Sequence, residues 1–321
     1  MARERIASLL AGATEMLYGL GLGERVVAVS HECDHPAEVA GKPRVTFTRV
    51  DDRQSSDAID VQVRETAAAG NALYQIDVDR LAALAPDLIV TQAQCDVCAV
   101  SYDDVLTAVR TCDALAGTEV VALDPNTLED VFADIGRVGA AAGGADAASY
   151  INGLRRRVDA IRRETDRLAA ADRVRVACIE WIDPVMIAAN WMPELIEIAG
   201  GWCGLTKTGV PSGYTRWDDV VTYDPEVIVV MPCGFDLDRA VAESAVLNKL
   251  PGWDTISATK SGRVYAVDGN AYFNRSGPRL IDSLEILGHL VHPQHFGPPR
   301  TEEAARAWRR METRGEELLA V

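Results

Sequence analysis

The chain of 321 residues is too long for one small core and has the length of two domains of roughly 150 residues each. Hydrophobic residues make up 48% and charged residues 25%, a composition that supports a packed core and excludes wholesale disorder. The formal net charge of -16 argues against binding a polyanion such as nucleic acid, which needs clustered Lys and Arg.

The first residues, MARERIASLLAGATEML, begin with charge, and their apolar part is interrupted by Thr14 and Glu15, so they do not read as a secretory leader. No apolar run reaches the ~18 to 20 residues of a membrane span, so no membrane insertion is expected. As written, the sequence predicts a cytoplasmic protein, or a periplasmic or extracellular one if a leader has been removed. Seven cysteines, an odd number, exclude a complete disulfide framework, and most are expected as free thiols.

Short apolar runs rich in β-branched residues predict strands at RVVAVS (25–30), PDLIVTQ (86–92), EVVALD (119–124), RVRVACIEW (173–181), EVIVVMP (226–232) and GRVYAVD (262–268). Between them, stretches such as VDRLAALA and ADIGRVGAAAG place apolar residues at helical spacing. This alternation predicts an α/β protein with mostly parallel sheets. The chain also repeats itself. LAALAPDLIVTQ and VVTYDPEVIVVM align on Pro86 and Pro225, and GTEVVALD and SGRVYAVD align on Asp124 and Asp268, which favours two similar Rossmann-like lobes.

Residues 128–172 lie between the lobes. Ile151, Leu154, Val158, Ile161 and Leu168 share one helical face there, and Gly143 and Gly144 mark a break. The expected organisation is an N-terminal lobe at 1–127, a connecting backbone helix within 128–172 and a C-terminal lobe at 173–321. In such an architecture the ligand cleft lies between the lobes, at the carboxyl ends of the strands.

Three segments carry a resemblance: ASLLAGATEMLYGLGLGERVVAVSHECDHP near the start, LAALAPDLIV, and DGNAYFNRSGPRLIDSLEILGHLVHP from Asp268 to Pro293. In this order they resemble the cobalamin-binding members of the substrate-binding proteins of ABC importers, over about residues 5 to 295. The resemblance implies two Rossmann-like lobes joined by one long helix. It also implies a non-enzymatic role, the holding of cobalamin or a related corrinoid in the cleft, as a transport-type or cytosolic carrier. Haem or ferric-siderophore binding on the same scaffold is the alternative. A large ring with an apolar edge and peripheral amides suits a cleft with aromatic walls and a few polar anchors.

Carried over by position, the resemblance names pocket residues. Ala11, Gly12 and Ala13 form a turn before a helix opened by Thr14 and Glu15, with side chains small enough for a ligand to approach the backbone. His31, Glu32 and Cys33 follow the second strand, and Gln92 stands where the family carries a tryptophan. In the second lobe the positions are Trp181, Asn190, Trp191, Tyr214, Tyr272, Phe273 and Arg275. Trp202, Trp217, Trp253 and Trp308 read as packing residues, and Arg279 as an ion-pair partner. The family grips its permease with one glutamate on each lobe. Here those positions hold Pro43, with Glu38 nearby, and Asp218, so the partner is an ABC permease or, for a leaderless variant, a corrinoid-using enzyme.

An enzyme has little support. The sequence has no Walker loop, no G-x-S-x-G, no H-E-x-x-H and no G-x-G-x-x-G after a strand, so chemistry would fall to Cys and His as a metal-dependent or redox activity. The pair Cys95 and Cys98 leaves three readings: a zinc site completed by Cys33 with His31 or His35, a redox couple, or two small thiols in the pocket wall. The expectation is that both line the cleft without zinc. His31 or His35 is a possible axial ligand to cobalt.

Overall fold

Ile6, Ala7 and Ser8 are fully buried, and they form the short strand around which the first half of the chain is organised. The computed structural model describes residues 3–94, 99–144 and 146–312. Its chain divides into two compact units, Met1–Arg156 with Ser276–Pro278, and Arg157–Arg275 with Arg279–Val321. Both are α/β.

In the first unit, β1 (Ile6–Ser8) runs parallel to β2 (Val26–Val29) on one side. After the small antiparallel pair β3 (Thr46–Thr48) and β4 (Tyr74–Ile76), the chain returns as β5 (Leu88–Gln92), on the other side of β1, and β6 (Glu119–Leu123). The order is β2-β1-β5-β6, all parallel. All five residues of β5 are buried, and its Leu88, Ile89 and Val90 follow one another without polar alternation because both faces of the strand are covered. Around the sheet lie α1 (Ala11–Gly19), α2 (Ser56–Ala68), α3 (Val78–Ala83), α4 (Tyr102–Thr111) and α5 (Leu128–Ala141).

The stretch between the lobes is two helices. α5 opens with a capping box in which the Thr127 hydroxyl accepts from the Asp130 N–H while the Asp130 carboxylate accepts from the Thr127 N–H at 2.8 Å. After it Gly143 and Gly144 adopt φ of +91° and +100°, a backbone that side chains oppose, and α6 (Ala147–Thr165) follows. The division between the units falls inside α6. Arg155 lies 4.7 Å over the Phe132 ring and pairs with Glu129 in the first unit. Two residues on, Arg157 binds Asp282 and Glu285 of the second. Of the predicted apolar face, Leu154, Val158 and Ile161 are buried, whereas Ile151 and Leu168 are only partly covered.

The second unit is built on β7 (Val174–Trp181), with β8 (Met186–Ile187), β9 (Gly201–Trp202), β10 (Gly213–Tyr214), β11 (Val227–Val230), β12 (Val264–Val267) and β13 (Trp308–Arg310). Its sheet runs β10-β8-β7-β11-β12-β13, with β9 also paired to β7. The expectation of mostly parallel sheets holds, and this second sheet adds antiparallel pairs to its parallel ones. β7, β9, β11 and β12 are parallel, but β8 pairs antiparallel with both β7 and β10, and β13 pairs antiparallel with β12, so the sheet is mixed. Each antiparallel strand has two or three residues, too short for a period, and pairing with a neighbour creates it. The helices are α7 (Met192–Ile198), α8 (Trp217–Tyr223), α9 (Leu237–Ser244), α10 (Ser257–Ser261), α11 (Leu280–Val291) and α12 (Glu302–Ala305).

The repeat seen in the sequence has a structural counterpart. β5 lies between β1 and β6 as β11 lies between β7 and β12, all parallel, with β2 or β9 flanking the first strand of the series. Asp124 and Asp268 each stand immediately after the last strand of that series. Among the described residues, no helix is long and apolar enough to cross a membrane.

α11 is apolar on nearly every side yet carries Asp282 and Glu285, both buried. Arg157 donates to Asp282 at 2.5 Å and to Glu285 at 3.0 Å, and the Glu285 carboxylate also accepts the Arg300 N–H at 3.0 Å. Removing Arg157 leaves buried Asp282 without its cation and Glu285 with Arg300 alone, 3.3 Å away. Arg157→Ala is expected to cost about 3–5 kcal/mol in urea unfolding, whereas Arg3→Ala, which breaks the exposed pair with Glu119, costs at most about 1 kcal/mol. Equal losses for the two variants would contradict this.

His292 is 2% exposed, and its Nε2 lies 3.0 Å from the Gly200 carbonyl. Burial pushes its pKa down, with His295 and Arg263 adding to the shift and the Gly200 bond and Asp172 opposing it. Above about pH 6.5 the ring is neutral in both folded and unfolded chains. As the pH falls below that value the unfolded chain takes up a proton that the folded one resists, so stability is lost down to the depressed folded pKa. Unfolding free energy measured from pH 7 to 5 is expected to fall in the native chain and to fall less steeply in His292→Gln.

Candidate functional site

The carboxyl ends of the parallel strands are where the chain gathers partly exposed polar and aromatic side chains, and each unit has such an edge. In the first, β1 ends at Ser8 and α1 begins at Ala11. Ala11, Gly12 and Ala13 are therefore the first turn of the helix itself, a correction to the expected turn before Thr14. Thr14 does not cap the helix. Its N–H bonds the Leu10 carbonyl at 3.0 Å, and its hydroxyl turns inward to Ser8 Oγ at 2.7 Å and Cys33 Sγ at 3.1 Å. The smallness of Gly12 serves the chain's own backbone. A Cβ there would stand 2.6 Å from the Ser276 carbonyl oxygen.

β2 leads into Ser30, His31, Glu32 and Cys33. Cys33 is buried against Thr14, so its thiol is a packing group. His31 is held from several directions. Its N–H donates to Thr46 Oγ1 at 3.1 Å, its Nδ1 lies 2.8 Å from the same oxygen, Arg44 donates to its carbonyl, and the Tyr74 ring lies 5.5 Å away. Nε2 lies 3.1 Å from Glu32 Oε1. β5 delivers Gln92, which is 3% exposed and donates to the Val100 carbonyl at 3.4 Å. Cys95 and Cys98, and with them the zinc, redox and packing readings, lie outside the described residues. Among the described residues no group of three or more His, Cys, Asp or Glu is arranged to hold a metal ion.

In the second unit β7 ends in Glu180 and Trp181. Glu180 accepts from Ser212 Oγ at 2.7 Å, and that oxygen accepts the Ala189 N–H at 2.9 Å. Burial pushes the Glu180 carboxyl up in pKa and the Cys178 thiol well up, so Cys178 is a poor nucleophile. Trp181 is partly exposed and meets Phe235 edge-on at 5.4 Å, and the Arg239 guanidinium stacks on the Phe235 ring at 3.6 Å. Asn190 takes a left-handed φ of +49°, which Asn tolerates better than most residues, and bonds Val210 and Gly209 through its backbone.

The other predicted positions divide by exposure. Trp191 is buried and donates Nε1–H to the Phe273 carbonyl at 3.1 Å, and the Phe273 side chain is fully buried. Tyr272 is buried under Arg279, whose guanidinium lies 5.3 Å from its ring, and burial pushes its pKa up to about 12. Arg275 is buried and donates to Asn270 Oδ1 at 3.0 Å. Asp268 caps the turn at Gly269–Phe273 by accepting the Ala271 N–H at 2.7 Å, and burial raises its pKa. Tyr214 is 57% exposed. Asp218 is exposed in the first turn of α8, 3.6 Å from Arg216. Sequence reasoning missed Ser30, Thr46, Tyr74, Glu180, Ser212, Phe235 and Arg239. Only Glu180 carried a signal, as a carboxylate interrupting an apolar strand.

Comparison with known proteins gives these features a setting. The family described as periplasmic binding protein matches residues 6–271. The uncharacterized ABC transporter substrate-binding lipoprotein YvrC of Bacillus subtilis (strain 168) is 24% identical over 91% of this chain and 81% of its own. A vitamin B12-binding protein of Vibrio parahaemolyticus is 24% identical over 89% of each. A periplasmic heme binding protein from Pseudomonas aeruginosa shares the fold, with a TM-score of 0.69 at 19% identity over 91% of this chain and 94% of its own.

The backbone contact at Gly12 yields a stability prediction. A methyl group there must push back the Ser276 carbonyl, which no side-chain rotation can relieve, so Gly12→Ala should lower stability by about 1–3 kcal/mol in chemical denaturation. An unchanged midpoint would show that the small residue serves something other than this contact.

Proposed function

This chain belongs to the periplasmic binding protein family, and we propose that it binds cobalamin or a related corrinoid at the carboxyl ends of its strands and hands it to an ABC permease. Members of the family are solute-binding carriers, not enzymes. The observation that carries the corrinoid reading is the relative of Vibrio parahaemolyticus named for vitamin B12, which aligns along 89% of both chains and so spans both units. The opening, central and closing segments that resemble corrinoid binders are distributed over the same span.

The side chains at the two edges support the reading chemically. Partly exposed Trp181 and exposed Tyr214 offer aromatic faces to a large flat ring. Glu32, Glu180 and Asp268 offer acceptors, which suit peripheral amide N–H groups better than they suit the carboxylates of haem. Haem is the competing ligand because the neighbour from Pseudomonas aeruginosa is named for it. Exposed Asp218 is the proposed permease contact on the second unit.

The test is the absorption spectrum of the protein after mixing with hydroxocobalamin, or separately with haem, followed by gel filtration. A corrinoid band that co-elutes in stoichiometric amount, with haem lost, is expected. Trp181→Ala should weaken cobalamin binding by ~1–3 kcal/mol in calorimetry. Retention of haem alone would transfer the assignment to haem, and failure to retain either would remove both.

A further inference from the structure

His31 stands two residues past the end of β2, and its ring is oriented more completely than packing requires. The Thr46 hydroxyl donates to Ser30 Oγ at 3.1 Å, so its oxygen is left to accept. It accepts the His31 backbone N–H at 3.1 Å, and at 2.8 Å from Nδ1 it can accept the ring proton as well. That assigns the proton to Nδ1 and leaves the lone pair on Nε2.

Nε2 is covered by Glu32, whose Oε1 lies 3.1 Å away, in a geometry that makes no directed hydrogen bond. Two electron-rich atoms facing one another at that distance call for a cation between them, either a proton or a Lewis acid. An imidazole with its far nitrogen bonded to an oxygen acceptor is also the usual form of a metal-ligating histidine, because that bond fixes the tautomer and raises the basicity of the coordinating nitrogen. His289 and His292 are differently placed, beside the carbonyls of Phe296 and Gly200 near the end of α11.

We propose that His31 Nε2 is the protein's axial donor to the metal at the centre of the bound macrocycle; this rests on the corrinoid reading above. Thr46 is the positioning residue, holding Nδ1. Glu32, whose side chain is 38% exposed, swings off Nε2, and any proton held between it and the ring is released to water. For an aquo-cobalt(III) corrinoid the step is a ligand exchange. The cobalt–oxygen bond breaks, water leaves with its electron pair, the Nε2 lone pair forms the new bond, and the oxidation state is unchanged.

The probe is cobinamide, a corrinoid without the nucleotide base, so that no nitrogen of its own competes for the axial position. Loaded on the protein and reduced to cobalt(II), it is expected to show three-line nitrogen splitting by electron paramagnetic resonance, and two-line splitting when the protein is made with heavy-nitrogen histidine. His31→Ala should abolish the splitting and lower cobinamide affinity about 10-fold or more, Thr46→Val should lower it about 10-fold, and His35→Ala should leave the splitting in place. Cobinamide retained without splitting in the native protein, or splitting that survives His31→Ala, overturns the proposal while leaving the corrinoid reading standing. If neither cobinamide nor cobalamin co-elutes with the native protein, the corrinoid reading falls and this proposal with it.

Discussion

A buried carboxylate must keep its cation or give up its charge, and α11 carries two of them. Asp282 and Glu285 lie among leucines and isoleucines, and burial pushes the Asp282 carboxyl up in pKa while Arg157 pulls it back. The same contacts raise the pKa of Arg157 against its own burial. The second unit therefore includes α6 from Arg157 onward through these two bonds, reinforced by the Thr165 hydroxyl, which donates to the Ile198 carbonyl at 2.5 Å. A hydrophobic isostere of the cluster could match its stability, but it would lose the direction that a forked guanidinium imposes on two carboxylates.

The two sheets then present their carboxyl edges by the same topology with different chemistry. In the first unit the edge is a hydroxyl network, Ser8 with Thr14 and Ser30 with Thr46, ending on His31. In the second it is a carboxylate and aromatic edge, with Glu180 on Ser212 and Trp181 on Phe235 beneath Arg239. Repeated strand order supplies the positions, and the residues set on them decide what each edge can bind. Several of the aromatics that the resemblance assigns to a ligand, Trp191, Tyr272 and Phe273, are covered within their own unit, while Trp181 and Tyr214 keep exposed surface.

The long strands were legible because a parallel strand covered on both faces holds consecutive apolar residues, so residues 88–90 of β5, 176–179 of β7, and β11 and β12 stand out as runs without any partner being known. The glycine break before α6 and the alignment of Pro86 with Pro225 were legible for equally local reasons, a backbone angle and a repeated pattern. β1 was not, since three residues show no period; burial between β2 and β5 is what makes it the centre of its sheet.

The strand ends were legible in position, but not the contacts that orient the residues standing there. That His31 and Glu180 stand at strand ends follows from the runs that precede them. That His31 is oriented by Thr46, 15 residues away, and Glu180 by Ser212, 32 residues away, depends on loops that only the folded chain brings back. Gly12 shows the same limit: its small size is written in the sequence, but whether it admits a ligand or the carbonyl of Ser276 was decided by a segment 264 positions later (276 − 12), because excluded volume acts between neighbours in space and not along the chain.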